Sequence, residues 1–131
     1  MKIHLDTGDG RHRISRYEPG LVVIDEHAYE RSLVVTPDRI LPDWRPRHFA
    51  ELDREALTEL AGLDAEIVLL GTGRALRFPS QEALLVLLQG QIGVECMDTG
   101  AACRTYNLLM GEGRKVAAAL LLADPPAPAA A

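Results

Sequence analysis

The chain has 131 residues, a length typical of one domain, and 14 Lys and Arg against 19 Asp and Glu give a formal net charge of −5. Its 47% hydrophobic content is enough for a core, and its acidic balance argues against a general nucleic-acid binder, which needs a basic surface for phosphates. The longest apolar run, residues 116–123, is far shorter than the roughly 20 residues that span a bilayer.

The N-terminus lacks the apolar stretch of a signal peptide, which favours a cytoplasmic protein. Its two cysteines, Cys96 and Cys103, are too few for a disulfide framework and too far apart for a C-x-x-C metal site. We expect both thiols to be reduced and mostly buried, and a redox pair is the alternative interpretation.

The first half of the chain predicts short strands at hairpin spacing. β-Branched and aromatic runs, bounded by turn residues such as Glu18-Pro19-Gly20, occupy residues 12–17, 21–25, 29–36 and 39–41. An irregular segment follows at 43–49, where Trp44 lies between two prolines. Trp44 either closes one end of the core or anchors a partner.

The second half alternates helix and strand. Asp53 and Ser80 are predicted N-caps of helices over 54–61 and 81–89, with Gly90 at the C′ position of the second. Asp98 or Thr99 caps a third helix. The remaining predicted elements are strands over 66–70, 92–97 and 115–122 and that third helix over 100–111.

This order predicts an α/β fold with a βαβαβ core, right-handed crossovers and a largely parallel sheet. The N-terminal hairpins should extend that sheet or form a further β layer. No Gly, Ser or Pro linker divides the chain, so we expect one domain over residues 1–123. The Ala/Pro tail over 124–131 should be disordered, because its prolines block regular structure.

Two loops could form a polar cleft. Gly71-Thr72-Gly73-Arg74 follows one buried strand, and Asp98-Thr99-Gly100 follows the next. Ligands of open α/β sheets bind beyond the carboxyl ends of the strands, where a helix N-terminus and Arg74 would attract an anion or a carboxylate. The alternative is a tight turn and an ordinary helix cap, since the glycines match neither a dinucleotide fingerprint nor a phosphate loop.

On the third helix, Arg104 and Asn107 are three residues apart and share a face. One interpretation is that both side chains contact a ligand or a partner. The other is that Arg104 is solvated and that Asn107 forms hydrogen bonds with a nearby backbone. Catalysis finds little support, because no nucleophile and base stand at readable spacing and the four histidines lie in the N-terminal half. No His, Cys and carboxylate set has metal-ligand spacing, and no cofactor is implied.

Several short motifs in the second half of the chain carry a family resemblance. They are Gly71-Thr72-Gly73, Met97-Asp98-Thr99, Arg104-Thr105-Tyr106-Asn107 and Glu112-Gly113-Arg114, with Glu95 and Ala102 between them. At this spacing they resemble a small α/β family of unknown biochemical activity that includes mitochondrial NADH dehydrogenase (complex I) assembly factor 3 and an adipogenesis-associated cytosolic protein. The likeness covers most of residues 10–122.

The resemblance implies three layers: a mixed central sheet, helices on one side and a hairpin layer. It implies no established enzyme activity, metal or cofactor, and it favours a protein-interaction or assembly role with an unidentified protein partner. A small-molecule or anion-binding module with its cleft at residues 71–74 and 98–100, possibly an enzyme, is the alternative function.

Overall fold

The computed structural model describes residues 11–123, and the tail predicted to be disordered at 124–131 lies outside them. Within residues 11–123, eight strands and three α-helices follow one another, with a short 3-10 helix at Phe49–Glu51 before the first α-helix. They are β1 (Ile14–Glu18), β2 (Leu21–Ile24), β3 (His27–Tyr29), β4 (Leu33–Val35), β5 (Ile40–Leu41), α1 (Arg54–Ala61), β6 (Ile67–Gly71), α2 (Gln81–Gln89), β7 (Gly93–Met97), α3 (Thr99–Gly111) and β8 (Val116–Leu120).

The strands form two sheets. β1, β2 and β3 make an antiparallel meander, and the second sheet has the order β5-β4-β8-β6-β7. Within it β6 pairs in parallel with both β7 and β8, whereas β4 is antiparallel to β8 and to β5. The predicted α/β fold class is confirmed, with a parallel core and a separate N-terminal β layer.

One predicted strand is wrong in its extent. The run over 29–36 is not continuous, because β3 ends at Tyr29 in one sheet and β4 begins at Leu33 in the other. The interruption falls on exposed Glu30 and Arg31, whose charged side chains suit the crossing from one sheet to the next.

The helix starts are confirmed. The side chains of Asp53, Ser80 and Asp98 each accept a hydrogen bond from the backbone N–H three residues on, so Asp98 rather than Thr99 caps α3. The C′ assignment of Gly90 is wrong. Gly90 has φ −83° and is the C-cap, while Gln91 takes the left-handed conformation with φ +63°.

The five-stranded sheet is covered on both faces. On β6, Val68 and Leu70 face a cluster with α1 and α2, and Leu69 faces a cluster with α3 and the three-stranded sheet. The layers are therefore α1 and α2, the sheet, and α3 with β1–β3. The resemblance implied helices on one side, but α3 lies on the other.

Chain direction explains why α2 and α3 are on opposite faces. From β6 to β7 the chain moves one way across the sheet, and from β7 to β8 it moves back past β6. Right-handed crossovers in opposite directions leave their helices on opposite faces. This path also leaves β7 at the edge of the sheet.

Candidate functional site

The two loops of the predicted cleft meet at the carboxyl ends of β6 and β7. The N–H of Thr72 donates to the carbonyl of Met97 at 2.9 Å, and the N–H of Thr99 donates to the carbonyl of Gly73 at 2.8 Å. Parallel pairing of β6 and β7 brings both loops to one end of the sheet. We call residues 71–74 and 98–100 the carboxyl-end loops.

The threonines of these loops are buried and bonded to backbone. Thr99, fully buried, donates its hydroxyl to the carbonyl of Leu121 at 2.7 Å and accepts from the N–H of Gly73 at 2.8 Å. Thr72, 3% exposed, donates to the carbonyl of Ala75 at 2.8 Å. Both hydroxyls hold chain segments together, so their role in this structure is a structural one.

Close packing explains the glycine at the end of β6. A Cβ on Gly71 would lie 3.0 Å from the Cα of Thr99, so α3 could not approach as closely with any other residue. Gly73 has φ +103°, which other residues rarely adopt. Arg74, the last residue of the first loop, is exposed, and Asp98 caps α3 by accepting from the N–H of Ala101 at 2.9 Å.

Arg104 and Asn107 share a shallow groove of about 240 Å³ between β1 and α3. The Asn107 amide accepts from the N–H of Ile14 at 3.0 Å and donates to its carbonyl at 2.7 Å. Asn107 thus pairs with β1 as a neighbouring strand would, whereas Arg104 is exposed. The interpretation of Asn107 as a backbone partner is confirmed, and that backbone is 93 residues away in sequence.

Two further contacts, which the sequence analysis did not identify, hold β1 on α3. The Tyr106 hydroxyl donates to the carbonyl of His12 at 2.7 Å, and burial raises the pKa of this phenol. The ring of Tyr17 lies on Gly100, where an added Cβ would be 3.2 Å away. No sequence signal links these pairs, because each joins residues more than 80 positions apart.

The cysteines are free thiols, as predicted. Cys103 is buried and burial raises its pKa to about 12, while Cys96 is only half-buried and burial again raises its pKa. Both are protonated at neutral pH, which disfavours nucleophilic chemistry. Among residues 11–123, no group of three or more His, Cys, Asp or Glu is arranged to hold a metal ion.

Exposed apolar side chains concentrate between β6 and β7. Leu76, Phe78, Leu85 and Leu88 are 46–68% exposed, and all four lie in the connection that contains α2. Six consecutive apolar residues, 83–88, place apolar side chains on every side of α2. That all-round pattern was the available sequence signal, since a solvated helix normally carries apolar residues on one stripe.

Comparison with known proteins identifies the family. Residues 14–121 match the model of the protein family of unknown function DUF498/DUF598, and the chain belongs to it. It is 33% identical over 120 residues to NADH dehydrogenase [ubiquinone] 1 alpha subcomplex assembly factor 3 of Bos taurus, covering 82% of this chain and 65% of that protein. The chain therefore spans about two thirds of the length of that relative.

Another relative matches over most of its own length. A 13 kDa major membrane protein of Francisella tularensis is 24% identical over 107 residues, which are 80% of this chain and 86% of that protein. Within residues 11–123 we find no helix with the length and apolar character to cross a membrane.

Solved structures share the fold. A crystal structure of a Bordetella parapertussis protein has a TM-score of 0.81 at 34% identity, covering 86% of this chain and 96% of that one. A solution structure from Bordetella pertussis, described as a Mth938-like domain, has a TM-score of 0.80 at 30% identity and covers 96% of both chains. The resemblance found in the sequence is confirmed.

Proposed function

We propose that this protein is a protein-interaction module that binds an extended segment of a partner along strand β7. The observation that carries the proposal is the position of β7 at the edge of the five-stranded sheet, next to β6 and to no other strand of residues 11–123. An edge strand offers unpaired backbone groups that a partner strand can use.

The parallel register identifies which backbone groups of β7 face outward. The N–H of Gly93 bonds the carbonyl of Glu66, and the carbonyl of Met97 accepts from Thr72, both toward β6. In a parallel ladder these inward residues alternate with outward ones. The N–H and C=O of Val94 and Cys96 therefore point away from β6 and would bond the partner.

The helix that packs on β7 also exposes apolar surface. α2 packs on β7 and exposes Leu85 by 46% and Leu88 by 53%, three residues apart on one helix face. We call β7 together with these two leucines the β7 surface. Apolar contacts of this kind supply binding energy, while main-chain bonds orient the added strand.

The negative charge of Glu95 favours one kind of partner strand over another. Glu95 is exposed at the centre of β7, so an antiparallel pairing of two copies about this residue would set like charges opposite each other. A partner strand with Lys or Arg opposite Glu95 and apolar residues on the side of α2 complements the surface instead. The occupant we propose is such a strand from a different protein.

The relatives support a role in protein contacts. Several are named as assembly factors of NADH dehydrogenase, and we carry over to this chain the general role of binding a protein, with the partner's identity open. Subunits of respiratory complexes are the first proteins to look for.

Capture from host extract tests the proposal when single variants are compared. We expect Glu95→Lys and Leu88→Ser each to lose the same captured protein that the wild type retains. Leu108→Ser is the matched control, because Leu108 is an apolar residue on α3 with 62% exposure. The captured protein's strand, made as a peptide with a central basic residue, should bind wild type and not Glu95→Lys.

Two results would overturn the proposal. One is capture that survives both β7 variants but fails with Leu108→Ser. The other is a stable dimer of this chain, seen by sedimentation, that Leu88→Ser dissociates, since a second copy would then occupy the surface.

The second candidate function is anion binding at the carboxyl-end loops. It is supported by the adjacency of those loops, the N-terminus of α3 and the exposed cation of Arg74. Thermal stabilisation by phosphate that disappears in Arg74→Gln would favour it over the β7 proposal.

We also propose a cytoplasmic location, supported by the two free thiols, which suit a reducing compartment. Fractionation of host cells tests it, and recovery of the protein with the membrane would contradict it.

A further inference from the structure

A cavity of about 250 Å³ lies at the end of the sheet opposite the carboxyl-end loops, where β6 and β8 begin. We infer that it binds a small phosphate monoester. We call it the basic cavity, because four basic and two acidic side chains line it, an excess of two positive charges on a chain whose net charge is −5. These charged residues are Arg11, Arg39, Arg114, Lys115, Asp38 and Asp64.

The central residue is Arg39. Within residues 11–123 its guanidinium has no hydrogen-bond or ion-pair partner, although its backbone is held tightly in the turn between β4 and β5. The N–H of Arg39 donates to the hydroxyl of Thr36 at 3.0 Å, and its carbonyl accepts from the N–H of Thr36 at 2.8 Å. A rigid turn thus presents a guanidinium whose donors meet no acceptor of residues 11–123 and can bond a ligand.

The other walls are also fixed before any ligand arrives. Arg11 donates to the carbonyl of Met110 at 2.8 Å, and the N–H of His12 donates to the carbonyl of Pro37 at 2.9 Å, which ties the chain before β1 to the turn. Lys115 accepts at its carbonyl from the N–H of Glu66 at 2.8 Å. Preformed walls reduce the ordering cost of binding.

The acidic neighbours leave the site positive. Asp64 is 91% exposed and its contact with Lys115 is 3.4 Å, a pair that solvent weakens. Arg114 is paired with Glu66 at 2.7 Å, which offsets much of its charge. Its remaining N–H donors can still bond a ligand in the basic cavity. Guanidinium forks match the oxygens of phosphate in pairs, which favours phosphate over a single carboxylate.

The volume sets the size of the ligand. About 250 Å³ exceeds what a lone phosphate ion needs and admits a few further carbon and oxygen atoms. A phosphate monoester of a small metabolite fits both the charge and the space. This inference is independent of the β7 surface, which belongs to another edge of the molecule.

Titration of the ¹⁵N-labelled protein with glycerol 3-phosphate, at constant ionic strength, tests it. We expect saturable shifts of the amides of residues 36–39 and 113–115. Arg39→Gln should weaken binding by about tenfold or more, and Lys115→Gln should weaken it less. Arg54→Gln, at an exposed arginine at the start of α1 that does not line the basic cavity, is the matched control and should bind as the wild type does.

Three outcomes would overturn the inference. They are shifts that never saturate, equal affinity in wild type and Arg39→Gln, and loss of binding in Arg74→Gln with Arg39→Gln unaffected, which would place the ligand at the carboxyl-end loops. Tighter binding of succinate than of glycerol 3-phosphate would show that the ligand class is wrong. Melting curves of Arg39→Gln show whether the variant is folded when its binding is measured. We expect a melting temperature close to that of the wild type, because an exposed side chain can be replaced with little effect on folding.

Discussion

The two edges of the five-stranded sheet differ in how they meet solvent. β5 has two residues, Ile40 and Leu41, and is followed at once by Pro42, so little of its backbone can accept another strand. β7 has five residues, contains no proline and packs against α2, a helix that exposes two leucines. Natural proteins protect the edges that they do not use, and on our proposal β7, whose one charged residue is Glu95, is the edge that a partner strand joins.

The largest expected effect is at the junction that fixes the end of β7. Thr99→Val keeps the shape but leaves the N–H of Gly73 and the carbonyl of Leu121 without their buried partner. We expect a loss of about 3 kcal/mol in the free energy of unfolding, measured with urea. Thr58→Val, at an exposed hydroxyl of α1, is the control and should change stability by less than about 0.5 kcal/mol.

If Thr99→Val were as stable as the control, the carboxyl end of β7 would not be held by this junction. β7 would then be a frayed strand, and the contrast with β5 would fail.

A smaller effect is expected on the face opposite α2. Asn107→Ala removes both hydrogen bonds to Ile14 and should cost about 2 kcal/mol, since the backbone of β1 loses its partner. Arg104→Ala, on the same helix face, should cost almost nothing. Equal stability of the two variants in thermal melts would restore Asn107 as a candidate for partner contact.

Removing the charge from the centre of β7 tests its protective role. Glu95→Val should allow two copies to pair along β7 and so raise the sedimenting mass, because β-branched side chains favour pairing and the like-charge repulsion is gone. Glu112→Val, at an exposed position after α3, is the control and should stay at the wild-type mass. Unchanged sedimentation of Glu95→Val would mean that β7 is closed to strand pairing.

The smallest effect concerns acid pH and the segment that follows β5. Bonds from the N–H of Ala56 and from Arg45 lower the pKa of Asp53, and Arg114 lowers that of Glu66. A lowered pKa contributes stability that is present above the unfolded value and lost as the pH falls through the folded value. Stability should therefore decline below about pH 4.5, and Asp53→Asn, which still caps a helix, should show a shallower decline.

A pH profile of unfolding for Asp53→Asn that parallels the wild type would contradict this assignment. The segment between β5 and β6 would then owe its stability to apolar packing alone.

Local signals predicted the elements well, because caps and periodicity act over a few residues. The helix over 81–89 has the predicted bounds, and the caps Asp53 and Ser80 are correct. The break in 29–36 was missed, since nothing local says that a strand changes sheets. The C′ assignment failed because Gln91 accepts a left-handed φ that Gly90 was expected to take.

The site was harder to predict because its polar groups are satisfied over long sequence distances. Thr99 reads as a cap residue, yet its hydroxyl joins β6 to the end of β8. The basic cavity around Arg39 forms because a turn, the chain before β1 and the start of β8 meet in space. The spacing of residues along the sequence does not predict contacts between such distant segments.

Amide hydrogen exchange of the captured complex tests the central claim most directly. In the free protein the outward N–H groups of Val94 and Cys96 should exchange quickly, and in the complex both should be protected while those of β1–β3 are unchanged. Protection confined to β1–β3, or fast exchange of Val94 and Cys96 in a complex that is otherwise intact, would contradict binding along β7.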